Sequence, residues 1–387
     1  MRVTHVITRL VVGGAQENTI ASVLGLRARP GLEVRLISGP TTGPEGSLEP
    51  LVAGVPGLFT RLPSLVRPVR PWADLRAWRE LTRTFRAQRP DLVHTHSGKA
   101  GILGRLAARR AGVPRIVHTV HGPSFGPFQG AAANALFTAA ERRAGRVTDH
   151  FVVVADAMTR QYLAAGIGRP GQYTRIFSGF GLDPFLRAAN DPARRRRLGL
   201  AEDDFVIGKV ARLFALKGHD DLIAAAPAIV ARVPRAKFLL VGDGAWRGRL
   251  GTEIARRGLT GRFLFTGLVP PAEIPALVGV MDVLVHLSLR EGLPRALPQA
   301  LAAGRPVVAY DCDGAGEVCR DGRTGFLLQP GDRAALAARV AELAGDPALR
   351  TRLGEAGRAL VREHFTVERM VDDLHALYLR LLHRETA

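Results

Sequence analysis

Two stretches of this 387-residue chain carry side chains whose types and spacing could grip an anion. In G-K-V-A-R-L-F-A-L-K-G-H-D-D-L, residues 208–222, Arg212 closes an apolar strand pattern and Lys217 stands immediately before a helical one. A cation at the positive end of a helix dipole costs a few tenths of a kcal/mol. A bound anion between the two reverses that sign, so Arg212 and Lys217 read as a clamp for a diphosphate, with the helix N-terminal amides as further donors. A merely solvated Lys217 is the plainer alternative. The second stretch is R-E-G-L-P-R-A-L-P-Q-A-L-A-A-G-R-P-V-V-A, residues 290–309. Glu291 opens a helical pattern that closes at Gly304, and Gln299 follows eight positions on. An acid just before a helix is what capping selects anyway, which leaves Glu291 alone ambiguous. Two features favour a site. The loop follows an apolar strand ending near Leu287, the end of a parallel sheet where ligands bind. Gly292 would also admit a phosphate close to the backbone.

The first half repeats this plan. In V-V-G-G-A-Q-E-N, Gly13 and Gly14 lie between a strand and a helical run, where backbone N–H groups could approach phosphate or sugar; a simple tight turn reads equally well. The motif is not G-x-G-x-x-G, which argues against a nicotinamide cofactor. V-H-T-H-S-G-K-A-G (93–101) and V-H-T-V-H-G-P-S (117–124) each end a strand with polar groups. A metal cluster of His94, His96, His118 and His121 is disfavoured, because the two pairs differ in spacing and no nearby carboxylate completes a ligand set. Alternation puts His94 and His118 along the strands as core residues and His96 and His121 nearer the loops. His121, before Gly122 and Pro123, is the one expected to face a cleft.

The elements that must position these groups are short apolar runs alternating with helical patterns. Val3–Ile7, Glu33–Ile37, Leu92–His94, Ile116–Val120 and Phe151–Val154 read as one set of parallel strands. Phe205–Val210, Lys237–Val241, Phe263–Thr266, Val283–Leu287 and Val307–Ala309 read as a second. Helical periodicity lies between them at Lys99–Ala111, Asp220–Val233 and Arg333–Ala344. This is an α/β protein of two Rossmann-like, doubly wound domains expected to face each other across a cleft. The expected division is 1–183, a linker at 184–200 within the Pro- and Arg-rich piece starting at Asp183, a second domain at 201–365, and a C-terminal amphipathic helix in 366–387.

Charge narrows the partners. Fifty-four Lys plus Arg stand against 35 Asp plus Glu, a net +19. Residues 1–190 hold 25 basic and 11 acidic residues, so most of the excess lies in the first half and points to anionic partners. Residues 61–90 contain eight Arg with only Asp74 and Glu80. There Trp78, Leu81 and Phe85 fall at helical spacing between Arg76, Arg79 and Arg83. Such a helix can lie on an anionic bilayer; the same apolar residues could instead pack it on the sheet. Nucleic acid is disfavoured, since interleaved exposed aromatics and any recognised module are missing. Cys312 and Cys319 fit neither a disulfide framework nor a zinc spacing and read as reduced thiols. The N-terminus lacks the apolar core of a signal peptide, and no run of 18 apolar residues occurs.

Gly13-Gly14, His121, Arg212 with Lys217, and Glu291 in E-G-L-P-x-A-L-P-Q-A-L-A-A-G-x-P-V-V together resemble the family 4 glycosyltransferases of the GT-B class. V-G-D-G (241–244), F-T-G (265–267) and G-R-T-G-F-L-L-Q-P-G-D (322–332) extend the resemblance in order over nearly the whole chain. The histidine motifs look like those of bacterial members that assemble surface polysaccharides. The resemblance implies hexosyl transfer from a nucleotide-sugar with retention, a uridine diphosphate sugar before guanosine diphosphate mannose. The second domain would hold the donor, Arg212 and Lys217 its diphosphate, Glu291 its sugar hydroxyls, and the amides of Gly292 and Leu293 a phosphate. Gly13, Gly14 and Gly242 would belong to the donor site and His121 would lie beside the transferred sugar. His96 and Lys99 would serve a lipid-linked or glycan acceptor. Gln299 stands where the family carries a second Glu on the ribose, and would bind it without charge. No cofactor or divalent metal is implied. The expected location is the cytoplasm, with the inner face of the membrane open; the C-terminal helix would cross back to the first domain. A GT-B protein that binds nucleotide-sugar without transferring it is the alternative.

Overall fold

The computed structural model describes residues 1–43, 46–126 and 128–383, which form two compact units. One comprises Met1–Phe180 together with the chain from Val367; the other is Gly181–Thr366. The first contains a seven-stranded sheet: β1 (Arg2–Ile7), β2 (Glu33–Ser38), β3 (Phe59–Arg61), β4 (Leu92–His96), β5 (Arg115–Val120), β6 (His150–Val153) and β7 (Tyr173–Arg175). The second contains six strands: β8 (Phe205–Val210), β9 (Ala236–Val241), β10 (Phe263–Gly267), β11 (Val283–His286), β12 (Val307–Tyr310) and β13 (Gly325–Leu328). The strand pairs are parallel throughout, and helices on both faces bury the Val- and Ile-rich runs.

Strand order makes the sites. The first sheet runs β3-β2-β1-β4-β5-β6-β7 and the second β10-β9-β8-β11-β12-β13. Each therefore reverses its winding once, between β1 and β4 and between β8 and β11. Helices diverge at such a switch point and leave room beyond the strand ends for a ligand. Gly13 and Gly14 follow β1 and His96 ends β4; Arg212, Lys217 and Glu291 follow the second pair.

Three strands, β3, β7 and β13, had no expected counterpart; all are edge strands of three or four residues, too short to show a period. The piece read as a linker folds inside the second unit as two short helices, Asp183–Leu186 and Pro192–Arg197. Arg195 is buried there and donates to the carbonyls of Ala201 and Asp204. The C-terminal helix, Val367–His383, sinks Met370, Val371, Leu374, Leu377, Tyr378 and Leu381 into the first unit's core. The last four residues of that expected segment lie outside the described ones.

The arginine-rich helix requires a correction. Pro71–Gln88 buries Ala77, Leu81 and Phe85 against Leu62, Leu65, Val93 and the Gly98–Ala111 helix. Ala77, Leu81 and Phe85 are thus spent on the core and are not offered to a bilayer, while Trp78 is only half-buried. Arg76, Arg79 and Arg83 occupy the exposed face, and Arg76 pairs with Glu80 at 2.7 Å, one turn on. Among the described residues no helix is long and apolar enough to cross a membrane.

Candidate functional site

In the second unit the site is built around the end of β11. Gly218 takes a left-handed φ of 67°, and a Cβ on it would lie 2.0 Å from the carbonyl oxygen of Leu287. Only glycine lets the N-terminus of the His219–Arg232 helix press this closely on the strand end. Lys217 then reaches across: its Nζ donates to Glu291 Oε1 at 2.6 Å, both side chains being mostly buried. His286 Nε2 lies 3.4 Å from the same oxygen. Burial alone would raise the Glu291 carboxyl pKa; His286 and Lys217 outweigh it and hold the group well below the ordinary carboxylate range. The sequence pattern points Lys217 to a diphosphate and the resemblance points Glu291 to sugar hydroxyls; neither gives a sign of their ion pair.

Glu291 itself needs a correction. The helix begins only at Ala296, so the acid sits in the loop before it and Gln299 is not two helical turns away. Pro294 explains the delay, because it pushes Leu293 out of helical geometry. Gly292, Leu293 and Pro294 are buried, and the Glu291 amide donates to the Asp313 carboxylate at 2.6 Å. Gln299 is half-buried within Ala296–Ala302. Arg212 lies two residues past β8, its guanidinium 5.2 Å from the Phe214 ring centre and its carbonyl accepting from His219 Nε2 at 3.0 Å. Gly242 has φ 132°, and a Cβ there would come within 2.3 Å of the Ala211 carbonyl. It lets the loop after β9 back directly onto the Arg212 loop.

Lys209, in the interior of β8, joins this candidate site although the sequence pattern does not single it out. It is 1% exposed, and its Nζ has no hydrogen-bond partner. Burial and the nearby Lys217 push its pKa down to about 7, against the pull of Glu291 and Asp221. Ser288 Oγ, just past β11, is also buried without a partner. Unpaired buried polar groups are costly, and a cation and hydroxyl left so beside a sheet's switch point fit an anionic, hydroxylated ligand. The available signal was a lysine, one of only four in the chain, amid the apolar run F-V-I-G-x-V. Nearby, Cys312 and Cys319 are free thiols; burial pushes Cys312 up to about 12 and Cys319 higher.

The first unit carries a different constellation. Parallel register sets His5 of β1 beside His94 of β4, and His96 beside Thr119 of β5. His5 Nδ1 lies 2.9 Å from His96 Nε2, and His96 Nδ1 lies 3.1 Å from His121 Nε2. His94 Nε2 is 2.6 Å from Thr119 Oγ1, while its Nδ1 bonds the Tyr378 hydroxyl, which is 3.4 Å from His5 Nε2. His5, His94 and His96 offer nitrogens within 4.8 Å of one another, a cluster that could hold a metal. Their geometry favours hydrogen bonds instead. Two nitrogens on a tetrahedral zinc, at about 2.0–2.1 Å each, sit about 3.3 Å apart, beyond the 2.9 Å seen here. Burial lowers all four pKa values, His5 to about 3 and His121 to about 4, so the rings are neutral. His118 stands apart, bonded to Thr95 Oγ1 at 2.9 Å and packed under Gly101.

Two acceptor assignments are corrected here. His96 is 1% exposed, stacked between His94 and His121, and cannot touch a substrate directly. Lys99 is mostly buried; it pairs with Asp74 and donates to the Pro68 carbonyl, tying two helices together. His121 is partly exposed. Gly13, with extended φ of 171°, caps the Gly14–Arg27 helix, as a strand-to-helix turn requires. His5 was missed because it reads as one more inward position of an alternating strand.

Known proteins share this plan. Residues 190–360 match the model described as glycosyl transferases group 1, and residues 13–177 the glycosyl transferase 4-like domain. The putative glycosyltransferase EpsD of Bacillus subtilis (strain 168) is 31% identical, over 79% of this chain and 81% of its own. A galactosyltransferase of Escherichia coli, named for UDP-galactose and a diphosphoundecaprenol-linked acceptor, is 28% identical over 83% of each. Among solved structures, Anabaena Alr3699/HepE in complex with UDP superposes with a TM-score of 0.81 at 24% identity, covering 98% of this chain and all of that one.

Proposed function

Since the chain belongs to the GT-B glycosyltransferases, we propose that it moves a hexosyl group, with retention of configuration, from a uridine diphosphate sugar to a lipid-linked or glycan acceptor in surface-polysaccharide assembly. The observation that carries the donor half is the Lys217–Glu291 pair beside Arg212 and the unpaired Lys209 amine. A diphosphate entering there takes Lys217 from Glu291, which frees the carboxylate for the sugar hydroxyls. Arg212 and Lys217 then meet the negative charge that develops on the departing diphosphate, and electrostatic stabilisation of this kind commonly contributes more to catalysis than any other effect. The amides of Gly292 and Leu293 serve a phosphate, Gln299 the ribose, and His121 the transferred sugar. Among the described residues, no Asp or Glu is assigned the role of covalent nucleophile. The reaction is therefore read as same-face displacement, with the leaving phosphate helping to accept the acceptor's proton. Protein cations supply the charge that a divalent metal would otherwise bring.

The acceptor and membrane half rests on charge. A groove of about 690 Å³ on the first unit is floored by Trp78, Leu103 and Leu106 and rimmed by Arg109, Arg110, Arg143 and Arg146. These guanidinium groups over apolar carbon suit an anionic lipid surface, and they support a location on the inner face of the membrane. The E. coli relative's lipid-linked acceptor accords with this. Thermal-shift screening against nucleotide-sugars tests the donor: a uridine diphosphate sugar should raise the melting temperature, because it binds only the folded state. Stabilisation by guanosine but not uridine nucleotides would refute the uridine assignment.

A further inference from the structure

We infer that Thr119, His94, Tyr378, His5, His96 and His121 form one directional hydrogen-bonded relay that fixes His121 as its Nε2–H tautomer and presents Nδ1 as an acceptor. The contacts run unbroken: Thr119 Oγ1 to His94 Nε2, His94 Nδ1 to the Tyr378 hydroxyl, Tyr378 to His5 Nε2, His5 Nδ1 to His96 Nε2, and His96 Nδ1 to His121 Nε2. A neutral imidazole donates through one nitrogen and accepts through the other. Choosing one proton in such a chain therefore chooses all of them, and only two arrangements satisfy every link. In one His121 ends with Nδ1–H; in the other it ends with a bare Nδ1.

Tyr378 decides between them. Its oxygen is closer to His94 Nδ1 than to His5 Nε2, which is 3.4 Å away. O–H donors make shorter bonds than N–H donors, and on that ground we assign the phenol proton to the nearer ring, His94, with the hydroxyl accepting from His5. It follows that His94 donates from Nε2 to Thr119, His96 from Nε2 to His5, and His121 from Nε2 to His96. Neutrality is kept because burial disfavours the charged form of each ring. His121 is thus a fixed, uncharged acceptor, suited to a sugar hydroxyl and a poor general base near neutral pH. Tyr378 and Thr119 are positioning residues acting through it. The use of Nδ1 for a sugar hydroxyl rests on the function proposed above; the tautomer does not.

The test is ¹⁵N–¹H correlation spectroscopy of the full chain labelled at histidine, without donor. In the wild type, His121 should show a protonated Nε2 and a bare Nδ1. Thr119→Val removes the acceptor at the far end, and an orphaned buried N–H is worse tolerated than an orphaned lone pair; the relay should then reverse, giving His121 Nδ1–H. Tyr378→Phe cuts the relay and should give a mixture of tautomers. Either variant, if folded by circular dichroism, suffices on its own. A wild-type Nδ1–H tautomer overturns the inference, as does a His121 tautomer unmoved by the folded variant or variants. So does a stoichiometric metal bound by His5, His94 and His96. If the tautomers behave as stated yet no sugar is transferred, the relay stands and the functional reading fails. In active enzyme Thr119→Val should raise the donor KM about fivefold with kcat little changed.

Discussion

The two switch points solve the burial of polar side chains in opposite ways. On β1 and β4 and just past β5, the rings of four histidines are neutral and joined by hydrogen bonds, so the cluster is complete in itself. Around the ends of β8 and β11, Lys217 and Glu291 form an ion pair, and Lys209 Nζ and Ser288 Oγ are left without partners. A satisfied network stiffens a scaffold, whereas buried groups without partners store a cost that an incoming ligand can relieve. The lesson is that similar sheets can differ in this way: one is satisfied by its own hydrogen bonds, the other keeps buried polar groups without partners.

Acid separates the two most strongly. His5 and His121 titrate near 3 and 4 when folded, against about 6.5 unfolded, and His94, His96 and His118 are lowered too. The unfolded chain therefore binds more protons below pH 6.5, and stability present above that value drains as pH falls toward the folded values. The loss should reach on the order of several kcal/mol by pH 5. In hydrogen exchange, β1, β4 and β5, with five such histidines on or beside them, should lose protection before β8 and β11, where His219 and His286 are lowered by burial too but are only two, and where Glu291 contributes its loss only below the ordinary carboxylate pKa. Uniform loss across both sheets would erase the distinction.

Next in size, Lys217→Ala should cut turnover at least a hundredfold, read by steady-state transfer of a labelled sugar, while circular dichroism stays native. Near-normal activity would dismiss the clamp. Lys209→Met sharpens the contrast further. The amine's pKa falls to about 7 from 10.5, so the unfolded chain binds more protons across that window and wild-type stability should rise with pH through it. Methionine should abolish this rise and raise the melting temperature at pH 7, while weakening uridine diphosphate binding about tenfold in calorimetry. A destabilised variant with unchanged affinity would show the lysine to be structural. The smallest effect concerns the membrane. Arg109→Glu with Arg143→Glu should reduce sedimentation with anionic vesicles severalfold, and Arg76→Ala only slightly, since Arg76 is engaged with Glu80. The reverse order would restore the arginine-rich helix as the membrane face.

Much of this was legible because parallel strands buried on both faces read as apolar runs; Phe205–Val210 was delimited to the residue. Arg212 and Glu291 were singled out because each follows an apolar strand pattern, and Lys217 because it stands immediately before a helical one. Their pairing was not, since Lys217 and Glu291 lie 74 positions apart and meet only through the order of β8 and β11. The same holds for His5 and His94, joined by register rather than spacing. Pro294 falls within the expected helix, whose start it in fact delays. Trp78, Leu81 and Phe85 showed an apolar face, but periodicity alone does not say whether core or lipid covers it.

The most direct test of the anion site is a crystal structure with uridine diphosphate. The diphosphate oxygens should lie within hydrogen-bond reach of Arg212 and Lys217, with Glu291 released from its 2.6 Å contact. A diphosphate bound elsewhere, with the Lys217–Glu291 pair still closed, would contradict the account.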